Sequence, residues 1–204
     1  MKKFFKILLI IIVILVIICG AYFVIINSTK KSALDTIDII FTALKAGNDE
    51  IVSEYINTED FTNNETEGET ENIAENEEMS KIMVEKLTYE VISIDTKINQ
   101  CTVKLKVSNK DLKTVFGNYI TKVLSLAFSQ AFEQITEEEV DKQLNEYFIQ
   151  QYNSEDIQTL TNELTINMKK ENGKWNLSYD NEELVNAIFP GYSEIIESFK
   201  NNEE

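Results

Sequence analysis

The sequence predicts an α+β fold: an antiparallel sheet of about four strands with helices packed on one face, preceded by one transmembrane helix. Three observations support this prediction. Residues 7–26 form an apolar run without a charged side chain. Further along, two pairs of segments alternate apolar and polar residues, as half-buried strands do. Helical segments separate the two pairs, and the absence of β-α-β alternation favours an antiparallel sheet.

The apolar run at 7–26 is predicted to be a single-pass membrane anchor. Its twenty residues span about 30 Å at about 1.5 Å per residue, which matches the hydrocarbon layer of a bilayer. Three lysines in residues 1–6 predict that this short tail is cytoplasmic and that the domain is extracytoplasmic, in the cell envelope. Lys30 and Lys31, behind the run, weaken this bias without reversing it.

Two other N-terminal signals compete with the anchor. A cleaved signal peptide has a shorter apolar stretch and a small-x-small cleavage site, which Cys19-Gly20-Ala21 partly imitates. A lipoprotein would be modified at Cys19, although Ile18 is not the small residue expected before it. The apolar run continues to Ile26, so an uncleaved anchor is the prediction, with cleavage or lipidation at Cys19 as alternatives.

The composition excludes several classes of function. The net charge of −16 opposes binding to nucleic acids and to anionic headgroups, because phosphate binding needs clustered cations. The chain contains no His and no Arg, which excludes histidine-based catalysis and imidazole metal sites. No nucleotide motif occurs, and we expect no cofactor and no metal. Cys19 lies in the apolar run and Cys101 in a predicted strand, so no disulfide within the chain is expected.

The remainder is predicted to comprise a polar stalk at 27–32, one domain at 33–199 and a tail at 200–204. Ser32 and Asp35 have the spacing of a helix cap, and apolar residues follow at helical spacing until Gly47. A shorter helix is predicted to begin at Asn48-Asp49.

Residues 57–78 contain nine acids and no lysine. Charge repulsion and the scarcity of apolar side chains predict a mobile loop here. A divalent-cation site is the alternative, but the Asp and Gly spacing and the bidentate Glu of an EF-hand loop are absent.

Two hairpins are predicted. The first joins a strand at 87–95 to the alternating segment 101–107 through a turn at 97–99, and Cys101 shares the apolar face. In the second, Asn172-Gly173 is a type I′ turn signal between alternating segments at 164–168 and 175–179.

Helical spacing predicts helices between and after the hairpins. One covers 111–135, and its candidate core residues are Leu112, Val115, Tyr119, Val123 and Phe128. Thr136 and Glu139 form a capping box for the next helix. Pro190-Gly191 is predicted to end a helix that begins at Glu182, and a terminal helix follows it.

Several segments resemble exported domains of the nuclear transport factor 2-like (cystatin-like) superfamily, of unknown function, from low-GC Gram-positive bacteria. They are Ala43-Leu44-Lys45-Ala46-Gly47-Asn48-Asp49, Tyr89-Glu90-Val91, Val103-Lys104-Leu105-Lys106-Val107 and Gly173-Lys174-Trp175-Asn176-Leu177. The resemblance covers most of residues 33–189 and implies a curled sheet around the first helix, a cone with an apolar mouth. Enzymatic members use His or Asp inside the cone. This chain has no His, and its helical insert at 110–155 is a further departure.

Six residues are candidates for a ligand-binding site, and none is assigned as catalytic: Asp35, Asp38, Tyr89, Tyr119, Trp175 and Tyr179. The aspartates lie one turn apart on the first predicted helix, where paired carboxylates can do acid–base chemistry. An ordinary solvated helix face is the competing interpretation. The aromatic residues could line a pocket for a small ligand, or they could simply pack in the core.

These observations favour a non-catalytic binding or interaction domain that is tethered to the membrane. Its partner would be an unknown envelope protein or a small ligand. Two alternatives stay open: a cone-type enzyme that uses an Asp/Tyr pair, and a structural spacer of the cell envelope. An enzyme would need a carboxylate in a closed apolar cavity.

Overall fold

The computed structural model describes residues 2–56, 77–133 and 135–200. The helices of this part are α1 (Lys2–Ala46), α2 (Asp49–Ser53), α3 (Glu77–Glu85), α4 (Leu112–Glu133), α5 (Glu137–Asn153), α6 (Asn181–Ile188) and α7 (Tyr192–Lys200). The strands are β1 (Thr88–Lys97), β2 (Gln100–Lys110), β3 (Thr159–Glu171) and β4 (Lys174–Ser178). Almost all of the predicted loop at 57–78 and of the tail at 200–204 lies outside the described residues.

Helix α1 is continuous for 45 residues and joins the apolar run directly to the domain. The break predicted at the stalk, residues 27–32, is absent, and Ser32 lies inside the helix rather than capping it. The segment has no Pro or Gly, and polar residues alone do not end a helix. Beyond it, α1 buries one face, which includes Ala33, Ile37 and Ile40.

The end of α1 confirms the predicted helix stop. Gly47 has a φ of 62°, a left-handed conformation that glycine adopts without steric cost. Its N–H donates to the Leu44 carbonyl at 3.1 Å. Asn48 then caps α2 by accepting a hydrogen bond from the Ile51 amide at 3.1 Å.

The four strands form one open antiparallel sheet in the order β1-β2-β3-β4. Both predicted hairpins are present. Asn172 and Gly173 have φ values of 52° and 88° at the β3–β4 turn, as a type I′ turn requires. Asn99, with a φ of 55°, lies at the β1–β2 turn.

One face of the sheet is buried and the other is exposed. Cys101, Val103, Leu105 and Val107 of β2 face the core, and the alternate residues face solvent or are half-buried. The main core also contains Ile37, Ile40 and Phe41 of α1, Leu164, Ile166 and Met168 of β3, Trp175 of β4, and Leu184 and Ile188 of α6. The structure is therefore a mixed α+β fold with one long apolar N-terminal helix.

A second, smaller core lies where α4 and α5 are inserted between the two hairpins. Its buried residues are Met79, Val115, Tyr119, Phe148, Tyr152 and Ile157. The predicted capping box is present, because Thr136 accepts from the Glu139 amide and the Glu139 carboxylate accepts from the Thr136 amide, both at 3.3 Å.

Helix α6 also protects an edge of β3 that the short strand β4 leaves free. The Glu183 carboxylate accepts a hydrogen bond from the Thr165 amide at 3.2 Å, and the Asn186 carbonyl accepts one from Asn162 Nδ2 at 2.6 Å. Covered edge groups cannot pair with another chain. The predicted break at Pro190-Gly191 separates α6 from α7.

Candidate functional site

The two candidate aspartates, Asp35 and Asp38, lie on exposed positions of α1. Only Asp38 meets another candidate: its Oδ1 accepts a hydrogen bond from the Tyr89 hydroxyl at 2.9 Å. The Tyr89 ring stacks on Phe41, with centroids 4.4 Å apart. Burial, the hydrogen bond to Asp38 and the charge of that carboxylate together raise the pKa of Tyr89 to about 12. At neutral pH the Tyr89 hydroxyl therefore keeps its proton. It joins β1 to α1 through its hydrogen bond to Asp38 rather than acting as a proton donor in catalysis.

Trp175 joins the β3–β4 hairpin to α1. It is buried, and its indole Nε1–H donates to Ser32 Oγ at 3.1 Å. Lys170 Nζ donates to the same hydroxyl at 3.2 Å and lies 5.6 Å from the centre of the Trp175 ring. Trp175 therefore has a structural role, because Lys170 contacts its aromatic face and Ser32 accepts its indole N–H, which leaves neither group for a ligand.

The four candidate aromatic residues do not share one pocket. Tyr119 belongs to the smaller core, where its ring meets Phe148 edge-on at 5.9 Å. Tyr89, Trp175 and Tyr179 belong to the main core or pack against it. Burial raises the pKa of Tyr119, and the charge of Asp141 adds to that effect. The aromatic residues therefore act mainly as packing groups. This is the second of the two interpretations that the sequence allowed, the first being a pocket for a small ligand.

The described part of the surface includes two polar grooves. One has a volume of about 390 Å³ and lies on the exposed face of the sheet, lined mostly by polar side chains such as Asp95, Lys97, Asn167 and Lys169. The other, of about 510 Å³, is lined by Asp180, Glu182, Glu183 and Asn186. Neither is lined by any of the six candidate residues. Two carboxylates of the second groove are already engaged, since Asp180 caps α6 and Glu183 binds the β3 edge.

Cys101 is a packing residue of the main core. It is buried in β2, and burial raises the pKa of its thiol to about 11, so the reactive thiolate is scarce at neutral pH. Within the described residues, no group of three or more His, Cys, Asp or Glu side chains is placed to hold a metal ion.

An exposed apolar row on α4 is the feature that the sequence reasoning missed. It consists of Ile120, Leu124, Phe128 and Phe132, hereafter the α4 stripe, with exposed fractions of 37%, 57%, 70% and 83%. The prediction that Phe128 is a core residue is therefore wrong. Leu112, Val115 and Tyr119 are buried as predicted. The spacing of four residues signals one continuous helix face, but it does not indicate whether anything covers that face.

No protein-family model, curated protein or solved structure matches the chain.

Proposed function

We propose that the protein is a non-catalytic interaction domain, anchored in the membrane by α1 and displayed on the extracytoplasmic side. One observation carries the proposal. Helix α1 is long and apolar enough to cross a membrane, and none of its most apolar stretch is buried. The same helix continues without interruption into the core of the domain. An uncovered apolar segment of this length favours a lipid environment.

The domain's own groups support binding rather than catalysis. Asp35 and Asp38 are both exposed, whereas the enzyme alternative needs a carboxylate in a closed apolar cavity. The cystatin-like cone is part of the proposal as well. Helix α1 packs on the buried face of the sheet through residues such as Ile37 and Phe41, as a sheet curled around its first helix would require.

The α4 stripe is the proposed contact surface, and a second copy of this chain is its proposed occupant. With these exposed fractions, side chains of this size expose on the order of 500 Å² in each copy. Two such faces would bury on the order of 1,000 Å², near the lower bound of specific interfaces. The net charge of −16 opposes association elsewhere, but α4 contains two lysines and a single acid, Glu133. Pairing through α4 would therefore bring few carboxylates together.

The anchor is tested on membranes from cells that make the full chain. We expect the protein to resist carbonate extraction, to keep the mass of the uncleaved, unmodified chain, and to lose its domain when protease is added to spheroplasts. A freely soluble chain, a mass that shows cleavage or lipidation at Cys19, or a domain protected from the protease would contradict the proposed anchor or its orientation.

The contact surface is tested by chemical cross-linking of the full chain in liposomes over a range of protein-to-lipid ratios. We expect a dimer that the double variant Phe128→Ser with Phe132→Ser weakens at least about tenfold, since buried phenylalanines carry most of the contact area. The matched control is Ile39→Ser with Ile92→Ser, which changes exposed apolar residues outside α4. A chain that is monomeric at every ratio, or equal dimerisation of both double variants, would reject the pairing.

A further inference from the structure

The end of the domain that lies next to the apolar half of α1 is set by three hydrogen bonds. Ser32 Oγ accepts from Lys170 Nζ and Trp175 Nε1, which ties the β3–β4 hairpin to α1. The Lys170 amide donates to the Asn99 carbonyl at 2.8 Å, which brings the β1–β2 turn to the same end. Both hairpin turns therefore lie at the level of Ser32.

This end is close to the predicted hydrocarbon boundary. Ser32 follows Ile26, the last residue of the apolar run, by six positions of continuous helix. Six residues rise about 9 Å along a helix. The polar headgroup layer of one leaflet is about 5–8 Å thick. If α1 spans the bilayer, the two turns thus lie at the outer edge of the headgroup layer, where a lysine side chain can reach the lipid phosphates.

The side chains at this end are basic, in contrast to the rest of this acidic chain. Its lysines are Lys30, Lys31, Lys97, Lys169, Lys170 and Lys174. Among the residues that the structure describes, the acids nearby are Asp35, Glu54, Asp95 and Glu171. Two of these acids are already paired, Glu171 with Lys169 at 2.6 Å and Glu54 with Lys174 at 3.4 Å. Within the described part of the chain, Lys30, Lys31 and Lys97 form no ion pair and are exposed. Ile98, at the tip of the β1–β2 turn, is half exposed.

We propose that this membrane-proximal end, formed by Lys30 and Lys31 of α1 and the two hairpin turns, binds the headgroups of anionic phospholipids. The free lysines would contact lipid phosphates, and Ile98 at the tip of the β1–β2 turn would face the headgroup layer. The contact would hold the domain upright on the bilayer with the α4–α5 hairpin at its far end, because α4 begins just beyond the last residue of β2. The inference rests on the proposed anchoring by α1.

The test is amide hydrogen exchange of the full chain reconstituted in nanodiscs. Discs of phosphatidylcholine alone are compared with discs of equal parts phosphatidylcholine and phosphatidylglycerol. We expect exchange in peptides that cover residues 97–100 and 171–174 to slow at least about threefold in the anionic discs, because each lysine near an anionic surface adds roughly fivefold to the attraction. Raised salt should remove the difference, since screening weakens contacts between exposed charges.

The test variant is Lys31→Glu with Lys97→Glu, and the matched control is Lys104→Glu with Lys142→Glu. All four lysines are exposed, and the second pair lies on the open sheet face and on α5. We expect the test variant to lose the slowing and the control to keep it. Unchanged exchange in the β2 peptide 103–107 verifies that each variant is folded.

Three results would overturn the inference. Equal exchange in both kinds of disc would reject the headgroup contact while leaving the anchor intact. Equal slowing in phosphatidylcholine discs with added inorganic phosphate would assign the site to free phosphate instead. A chain that fails to co-float with liposomes of either composition would reject the anchor itself, and this inference with it.

Discussion

At Tyr89, packing and charge act on one hydroxyl. Its ring covers Phe41, while its O–H donates to the exposed carboxylate of Asp38. Burial opposes the charged phenolate, and so do the hydrogen bond and the negative charge of Asp38, in that order of importance. The outcome is a tyrosine whose pKa rises to about 12, which makes it a pH-sensitive link between α1 and β1.

We expect the Tyr89 contact to lose its stabilising effect as the pH rises from 10 to 12. An unfolded tyrosine loses its proton near its ordinary pKa of 10.0, whereas the folded one keeps it until about 12. The stabilisation is thus complete below pH 10 and disappears above the folded pKa. In Tyr89→Phe, this component of the alkaline loss of stability should vanish. The measurement is the free energy of unfolding of both proteins, obtained by urea unfolding of the full chain in detergent at a series of pH values. Parallel pH profiles of the two proteins would contradict the assignment.

Among the elements, β2 is the one that joins the two cores, and Asn109 makes the connection. Asn109 Nδ2 donates to the carbonyls of Met83 and Ile188, both at 2.8 Å, so it joins β2 to α3 and α6. Its Oδ1 accepts from the Tyr152 hydroxyl of α5 at 2.7 Å. The side chain is 1% exposed. A buried amide with all these partners stabilises one specific arrangement of the surrounding elements.

We expect Asn109→Ala to lower the free energy of unfolding by roughly 2–4 kcal/mol, because it removes three hydrogen bonds of a buried side chain and takes from the Ile188 carbonyl its side-chain donor. The Tyr152 hydroxyl keeps the Met83 carbonyl as a partner, at 2.6 Å. The matched control is Asn167→Ala on the exposed sheet face, where the side chain accepts from Thr102 Oγ1 at 2.7 Å. Its loss should cost less than about 1 kcal/mol. Fluorescence of Trp175, the single tryptophan, reports urea unfolding of both variants. Similar losses in the two would show that Asn109 has no special role.

For the whole molecule, the continuity of α1 matters more than any single contact. A flexible stalk would let the domain tumble freely above the bilayer. If α1 spans the bilayer as proposed, a helix that runs from Lys2 to Ala46 would instead hold the domain at a defined height and angle. The hydrogen bonds to Ser32 then position both hairpin turns relative to that helix.

We expect Ser28→Pro to uncouple the domain from the anchor without unfolding it. Proline at this exposed position removes one helical hydrogen bond and clashes with the preceding turn, at a local cost of about 3 kcal/mol. Amide exchange at residues 27–32 should rise in nanodiscs, while exchange in β2 and β3 stays unchanged. Ser28→Ala is the control, since alanine is the best helix former. Equally slow exchange at residues 27–32 in both variants would contradict the prediction, because it would show that proline at position 28 does not open the helix.

Much of the fold was predictable from local patterns. The apolar run, the two hairpins with the Asn172-Gly173 turn, the Thr136 capping box and the Gly47 stop all depend on residues close together in the chain. Local patterns of this kind predict the folded structure well because turn geometry and helix capping need few partners from distant parts of the chain. The candidate site was less predictable. Asp38 does contact Tyr89, but Tyr119 lies in the other core. The periodicity of a strand or helix shows which residues face the interior, but it does not show which core they join.

The sequence by itself determined that the chain has an apolar segment of membrane-spanning length, an α+β domain and no histidine chemistry. Each of these follows from composition or from periodicity within one segment. Only the tertiary structure decided that α1 continues through residues 27–32, that the aromatic residues divide between two cores, and that the α4 stripe is exposed on the described part of the chain. These features depend on which surfaces meet in space, and a linear pattern specifies that a face is apolar without specifying what packs against it.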